Sequence, residues 1–244
     1  MSYRMLKWLE DLIFPKYCLG CQKEGSYLCP KCREGIGVEN SVVCFACGRR
    51  SPSGRLCDNC RKKHSSPLAG LLVAADWDNR LLRQVIYAYK YRFVKEIHQP
   101  LAELMIKFLE TGRPIGWPPT EEIIFIPVPL HPRRQLWRGF NQSELLAKTV
   151  AQNLRAKFCP EIVCRTRYSL PQMELADFSS RQRNIKNAFA LNARLDQEIP
   201  EAFKNKTIVL VDDIATTAAT LEECARALKP LKPKEIWGLV IARG

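Results

Sequence analysis

The chain has 244 residues, of which 46% are hydrophobic and 26% charged, and it carries a formal charge of +13 at neutral pH. That length accommodates one full α/β domain with a small satellite module, and no apolar run approaches the ~20 residues that cross a bilayer, which excludes a transmembrane helix. The basic excess favours polyanions or phosphorylated ligands as partners.

The first residues, Met1 to Asp11, lack the uninterrupted apolar core of a secretion signal, so a reducing, cytoplasmic setting is expected. Leu6, Leu9, Leu12 and Ile13 form a helical stripe suited to docking on the protein itself. Four Cys-x-x-Cys pairs follow: Cys18/Cys21, Cys29/Cys32, Cys44/Cys47 and Cys57/Cys60. Two pairs supply the four thiolates of one tetrahedral zinc site, so eight cysteines predict two structural zincs. The pairs combine either in sequence order, as two small zinc ribbons, or interleaved as a cross-brace. A disulfide framework would require an oxidising compartment. His64 reads as a solvated surface histidine, and Cys159, Cys164 and Cys224 as small buried apolar residues.

His64-Ser-Ser-Pro67 reads as a linker between a metal-stapled module, residues 1–66, and a larger domain, residues 67–244. Leu68 to Ala75 is a first strand. Asn79 starts a helix with Leu81, Leu82, Val85, Ile86 and Tyr89 at helical spacing, and Leu101, Leu104, Met105 and Phe108 mark a second. Gly112 to Pro119 ends it, and the strand Glu122 to Val128 follows. Further on come a helix after Asn141, a strand at Ile162 to Arg165, a polar stretch from Thr166 to Lys186 and a short strand at Ala188 to Leu191. A strand beginning at Thr207, a helix and a last strand, Glu235 to Ala242, complete the alternation. Strands alternating with helices predict a mostly parallel sheet flanked by helices.

Three segments carry anion-binding chemistry. The run Pro127-Val-Pro-Leu-His-Pro-Arg-Arg-Gln-Leu-Trp-Arg-Gly-Phe-Asn-Gln142 leaves its strand through a stiff Pro-x-Pro turn, presents Arg133, Arg134 and Arg138, and ends at Asn141, which with Glu144 can cap a helix. Guanidinium groups held on a rigid loop suit pyrophosphate or a nucleic-acid backbone. Between Arg165 and Phe189 lie Gln172, Leu175, Arg181, Arg183, Asn184 and Lys186, a polar stretch of the length that lids have.

The third segment is Val209-Leu-Val-Asp-Asp-Ile-Ala-Thr-Thr-Ala-Ala-Thr220. Thr207 to Val211 alternates too little to be half exposed, so it is a strand buried on both faces, and ligands in such sheets bind at the carboxyl end. There Asp212 and Asp213 can accept from ribose hydroxyls or hold Mg²⁺, while Thr216, Thr217 and Thr220 donate to a phosphate at a helix N-terminus. A ligand-free reading of the same residues is a strand and a capped helix, because Thr220 and Glu223 also match a capping box.

This segment resembles the phosphoribosyl pyrophosphate (PRPP) loop of type I phosphoribosyltransferases, in which two acids precede Thr-Thr-Gly-x-Thr. Ala218 stands at the glycine position, where a positive φ carries a steric cost. Together with the four cysteine pairs, Lys90-Tyr91, the Arg-Gly-Phe-Asn-Gln segment and Arg181-x-x-Asn184 with Ala188-Phe189, the loop resembles the ComF family over nearly the whole chain. The resemblance implies a zinc-finger module fused to a type I phosphoribosyltransferase fold, acting in the cytoplasm in natural transformation, with proteins of the competence machinery as further partners. Carried over by residue, Asp212 and Asp213 would hold the ribose and Mg²⁺, and Ala215, Thr216, Thr217, Ala218, Ala219 and Thr220 would wrap the 5′-phosphate. Lys90 and Arg133 would join the PRPP site, and Arg181 would complete a catalytic set with the two acids.

Lys90, Arg92, Arg134, Arg138, Arg183 and Lys186, with Tyr91 and Trp137 as stacking platforms, are the expected contacts to single-stranded DNA. The primary functional reading is a protein that binds PRPP with Mg²⁺ and single-stranded DNA and serves DNA uptake. The other two are an active phosphoribosyltransferase of unknown acceptor and a non-catalytic nucleotide sensor. In the transferase reading, residues 1–66 are the expected source of an acceptor site.

Overall fold

The computed structural model describes residues 15–38, 42–168, 185–193 and 199–244. The expected N-terminal helix, and Gln172, Leu175, Arg181, Arg183 and Asn184, lie outside those residues.

Five strands form one parallel sheet: β1 (Gly70–Val73), β2 (Ile123–Pro127), β3 (Lys157–Phe158), β6 (Thr207–Ala215) and β7 (Glu235–Arg243), in the order β1-β7-β6-β2-β3. The apolar run Ile208-Val-Leu-Val211 makes β6 the centre of the sheet, because every one of its side chains finds a covering layer. Val209 and Val211 face a core shared with helices α3 (Arg80–Tyr91), α4 (His98–Thr111) and α6 (Gln142–Leu154). Ile208 and Leu210 face the opposite core, built with α8 (Ala219–Leu228) and Phe203 at the end of α7 (Ile199–Phe203). Each fully buried side chain such as Leu82, Ile86 or Leu101 contributes roughly 1.5–3 kcal/mol to these layers.

The strands β4 (Val163–Arg165) and β5 (Phe189–Leu191) stand apart from the parallel sheet as an antiparallel pair, with Cys164 opposite Ala190. Their core-facing residues Val163 and Phe189 pack into the α8 layer. The elements not foreseen in the sequence include one strand of the sheet and one helix. β3 has only two residues, too few to show a period. Helix α5 (Pro132–Arg138) begins on Pro132 with the His131 ring accepting from the Arg133 amide at 3.3 Å, so the arginine-bearing loop is in part a short helix.

The cysteine pairs combine in sequence order. One tetrad is followed by α1 (Pro30–Ile36) across its second pair, and the other runs into α2 (Asp58–Lys63). The first ribbon is held on the large domain by Lys16–Glu96 at 2.7 Å, by the ion pair Arg33–Glu103, and by Leu28 and Ile36, which enter the α3/α4 core. The second is held by Arg55–Glu235 at 2.6 Å and by Gly54 lying against Gly70, where a Cβ would come within 2.2 Å of the Gly54 carbonyl. Gly70 is therefore required by close approach, not by turn geometry.

Candidate functional site

The chain leaves β2 toward one edge of the sheet and β6 toward the other, so the two central strands flank a topological switch point with an open crevice at their carboxyl ends. β6 extends through the acid pair to Ala215. Because side chains alternate along a strand, Asp212 and Asp213 point to opposite faces and acquire different partners. Ser143, in the first turn of α6, donates its hydroxyl to Asp212 Oδ1 at 2.7 Å, and the Asp213 amide donates to the same oxygen at 2.9 Å. Lys90, from the last turn of α3 in the same helical layer as α6, pairs with Asp213 Oδ1 at 2.9 Å. The Ile214 amide also donates to that oxygen, at 2.7 Å.

Burial, then the neighbouring Asp213 charge, pushes the Asp212 carboxyl up to about 6, and the Ser143 hydrogen bond and Lys90 only partly offset this. Asp212 and Asp213 each keep Oδ2 without a hydrogen bond among the described residues. Carboxylate oxygens left without a protein partner among those residues, at the carboxyl end of β6, suit a divalent cation or a ribose diol.

The β2 turn is tied to α6 by one buried residue. Asn141 donates to the Val128 carbonyl at 3.1 Å and accepts from the Ser143 amide at 3.1 Å, so it caps the helix and fixes the Pro-x-Pro turn together. Tyr89 donates to the Gln142 carbonyl at 2.9 Å, which locks α3 against the same turn. The buried Gln142 Nε2 has no partner among the described residues.

On the opposite wall, the turn after β6 brings Ala218 to φ 61°, a left-handed conformation, and α8 begins there without a side-chain cap. The positive end of its dipole suits an anion. Thr217 Oγ1 accepts from the Ala219 amide at 3.4 Å, while the Gly244 amide donates to the Ala215 carbonyl at 3.0 Å and Arg243 Nε to the Thr216 carbonyl at 3.4 Å. The capping box of Thr220 and Glu223 does not form, because the helix starts at Ala219 and Glu223 accepts instead from the Asn187 amide at 3.0 Å and pairs with Arg226.

Cations surround the crevice at several depths. Arg133 and Arg134 lie over the Tyr168 ring, 6.0 and 5.6 Å from its centroid, and the same ring meets His131 edge-on. Slight burial and then Arg133, Arg165 and Arg134 hold His131 below the usual imidazole range. Arg138 is half-buried between Tyr91 and Trp137, 5.9 Å from each ring centroid, where burial lowers its pKa and the Asp213 charge opposes that shift. Arg92 and Lys186 are exposed.

Arg165 was not singled out among the sequence's candidates. It is only 9% exposed, and burial, followed by Arg134, pushes its guanidinium down to about 10 while Asp212 supports the charged form. Ser143 was missed as well. A serine two residues beyond a cap carries no pattern of its own, and only the abutment of α6 on β6 shows its role.

The two cysteine tetrads have the geometry of closed metal sites. Within each, the four sulfurs lie within 4.8 Å of one another, and Cys21–Cys29 and Cys47–Cys57 are separated by 3.7 and 3.6 Å. A tetrahedron with a Zn–S bond of ~2.3 Å has edges of ~3.8 Å. Burial opposes ionisation, but amide hydrogen bonds bring Cys18 and Cys44 down to about 6. The hydrogen bond with Cys29 pushes Cys32, and burial pushes Cys60, up to about 12, so without the charge of a metal only part of each tetrad favours the thiolate.

Sequence profiles agree with this division: a double zinc ribbon domain matches residues 9–61, and a phosphoribosyl transferase domain matches residues 142–243. Fold and site thus define a phosphoribosyltransferase-like protein with an N-terminal double zinc ribbon. The chain is similar to Competence protein F of Haemophilus influenzae, with 28% identity over 89% of this chain and 98% of that one, and to DNA utilization protein YhgH of Escherichia coli K12, with 32% identity over 82% and 90%. Competence protein ComFC of Bacillus subtilis is 23% identical over 84% of this chain and 79% of its own. The chain belongs to the ComF family. Among the described residues no helix is long and apolar enough to cross a membrane.

Proposed function

We propose that the crevice binds PRPP with Mg²⁺, and that the protein handles single-stranded DNA during DNA uptake in the cytoplasm. The observation that carries the reading is the acid pair at the switch point, held by Ser143 and Lys90 on one wall and facing the left-handed Ala218 turn and uncapped α8 on the other. A ribose between the walls would place its hydroxyls on Asp212 and Asp213 and its 5′-phosphate on the Thr216–Thr220 turn. Arg133 and Lys90 lie where pyrophosphate charge needs balancing. Mg²⁺ arriving with the ligand would fit the free Oδ2 atoms and supply further neutralisation of the pyrophosphate. The relatives' names, Competence protein F and DNA utilization protein, support the nucleic-acid half of the reading, as does the chain's formal charge of +13. Arg92, Arg134, Arg138 and Lys186 are the cations of the described surface assigned to that half.

Calorimetry with PRPP and Mg²⁺ tests the first half. Wild-type protein should bind, and Asp212→Asn combined with Asp213→Asn should lose roughly 100-fold in affinity, the worth of two charge-assisted hydrogen bonds. Equal affinity in the double variant, with an unchanged fold by circular dichroism, would take these residues out of the site.

A further inference from the structure

A groove of about 680 Å³ opens between the first ribbon and α3, and its walls do not include the acid pair. Leu19 and Gln22 line it from the ribbon, and Arg80, Arg83, Tyr87 and Arg92 from the helix side. Positions 80, 83, 87 and 91 recur on one face of α3, opposite Leu82, Val85, Ile86 and Tyr89, which are buried. The outer face is therefore fixed by core packing and presents guanidinium groups and rings in one line.

The groove does not end at the ribbon. Tyr87, 58% exposed, lies against Tyr91 with ring centroids 5.0 Å apart. The Arg138 guanidinium bridges Tyr91 to Trp137, which is 63% exposed and meets Phe93 edge-on at 5.1 Å. Beside Tyr91 stands Lys90, the partner of Asp213. Arg83 is engaged by the Trp77 carbonyl at 3.0 Å, but the Arg80 and Arg92 guanidinium groups make no ion pair among the described residues. Exposed rings alternating with unpaired cations are what a flexible polyanion with planar bases requires: stacking faces for the bases, and charges for the backbone between them.

We propose that this track, from the groove beside the first ribbon to Trp137, is the binding surface for single-stranded nucleic acid. Bases stack on Tyr87, Tyr91 and Trp137, and phosphates meet Arg80 and Arg92. The inference rests on the reading that the protein handles single-stranded DNA, and it extends that surface along α3 to the zinc ribbon.

Fluorescence anisotropy with labelled oligothymidylate at several salt concentrations tests it. Tyr87→Ala should weaken binding by about 5- to 100-fold, Tyr87→Phe should bind like wild type, and both should leave PRPP affinity and melting temperature unchanged. Arg80→Gln with Arg92→Gln should flatten the logarithmic salt dependence by about 1.4 units, roughly 0.7 for each phosphate that is no longer neutralised. Wild-type affinity and slope in all these variants would overturn the track while leaving DNA binding elsewhere on the protein intact. A wild-type protein that binds PRPP, or anionic vesicles, but no oligothymidylate would overturn both the track and the nucleic-acid half of the proposed function.

Discussion

Asp212 holds its charge against its surroundings, and this has a measurable sign. Its folded-state pKa is raised from 3.8 to about 6, so the native protein takes up a proton there more readily than the unfolded chain does. Below about pH 4 both states are protonated and nothing is lost, whereas above about pH 6 the native state carries an ionised carboxylate that burial and Asp213 disfavour. Asp212→Asn keeps an oxygen to accept from Ser143 and from the Asp213 amide. It should therefore stabilise the ligand-free protein by roughly 1–3 kcal/mol at about pH 7.5, with the gain disappearing near pH 4. Thermal melts at the two pH values check this, and a gain that grows toward acid would contradict the assignment. The residue least visible in advance was Arg165. Its burial depends on a strand pair that closes across a long intervening segment, and no local spacing reports that.

At the scale of elements, the start of α8 decides how well the cradle is shaped. Ala218 occupies the left-handed region at φ 61° because the turn must reverse within three residues of the end of β6. Alanine tolerates that conformation at a cost of roughly 1 kcal/mol relative to glycine, so Ala218→Gly should raise the melting temperature slightly and tighten PRPP binding several-fold. Calorimetry showing weaker binding would mean that the methyl group, not the backbone, shapes the cradle. The alternation of strands and helices along the chain, and the positions of β6, α3 and α6, were legible because β6 is an unbroken apolar run, because the apolar residues of α3 and α6 recur at helical spacing, and because Asn79 and Asn141 mark helix starts. The departure of β4 and β5 from the parallel sheet was not, since strand partners at that separation are chosen by tertiary packing. Helix α5 was hidden by its prolines, which read as a stiff loop although one of them opens the helix.

Across the whole molecule, the ribbons are attached differently. The first shares the α3/α4 core through Leu28 and Ile36, whereas the second rests on the starts of β1 and β7 through Gly54, Arg55 and Glu235. Strong chelation under reducing conditions should release two zinc ions per chain and unfold both ribbons while the parallel sheet persists, because the sheet's two cores draw mainly on its own helices. Metal analysis with hydrogen exchange checks this, and a native, reduced chain free of zinc would refute the metal assignment. The sequence showed eight ligands but left their pairing open, since identical spacings repeat and only the folded chain brings particular sulfurs together.

The second ribbon's seat has a further consequence. Glu235 and Gly70 begin their strands, while the acid pair lies in the second half of β6, with Asp212 opposite Val240, and the Ala218 turn lies beyond the end of β6. Five residues of strand, about 17 Å, separate Glu235 from the position opposite Asp212. The seat of the second ribbon, Arg55 on Glu235 and Gly54 on Gly70, therefore lies at the opposite end of the strands from the Ala218 turn, so loosening that ribbon should leave the crevice's own walls in place.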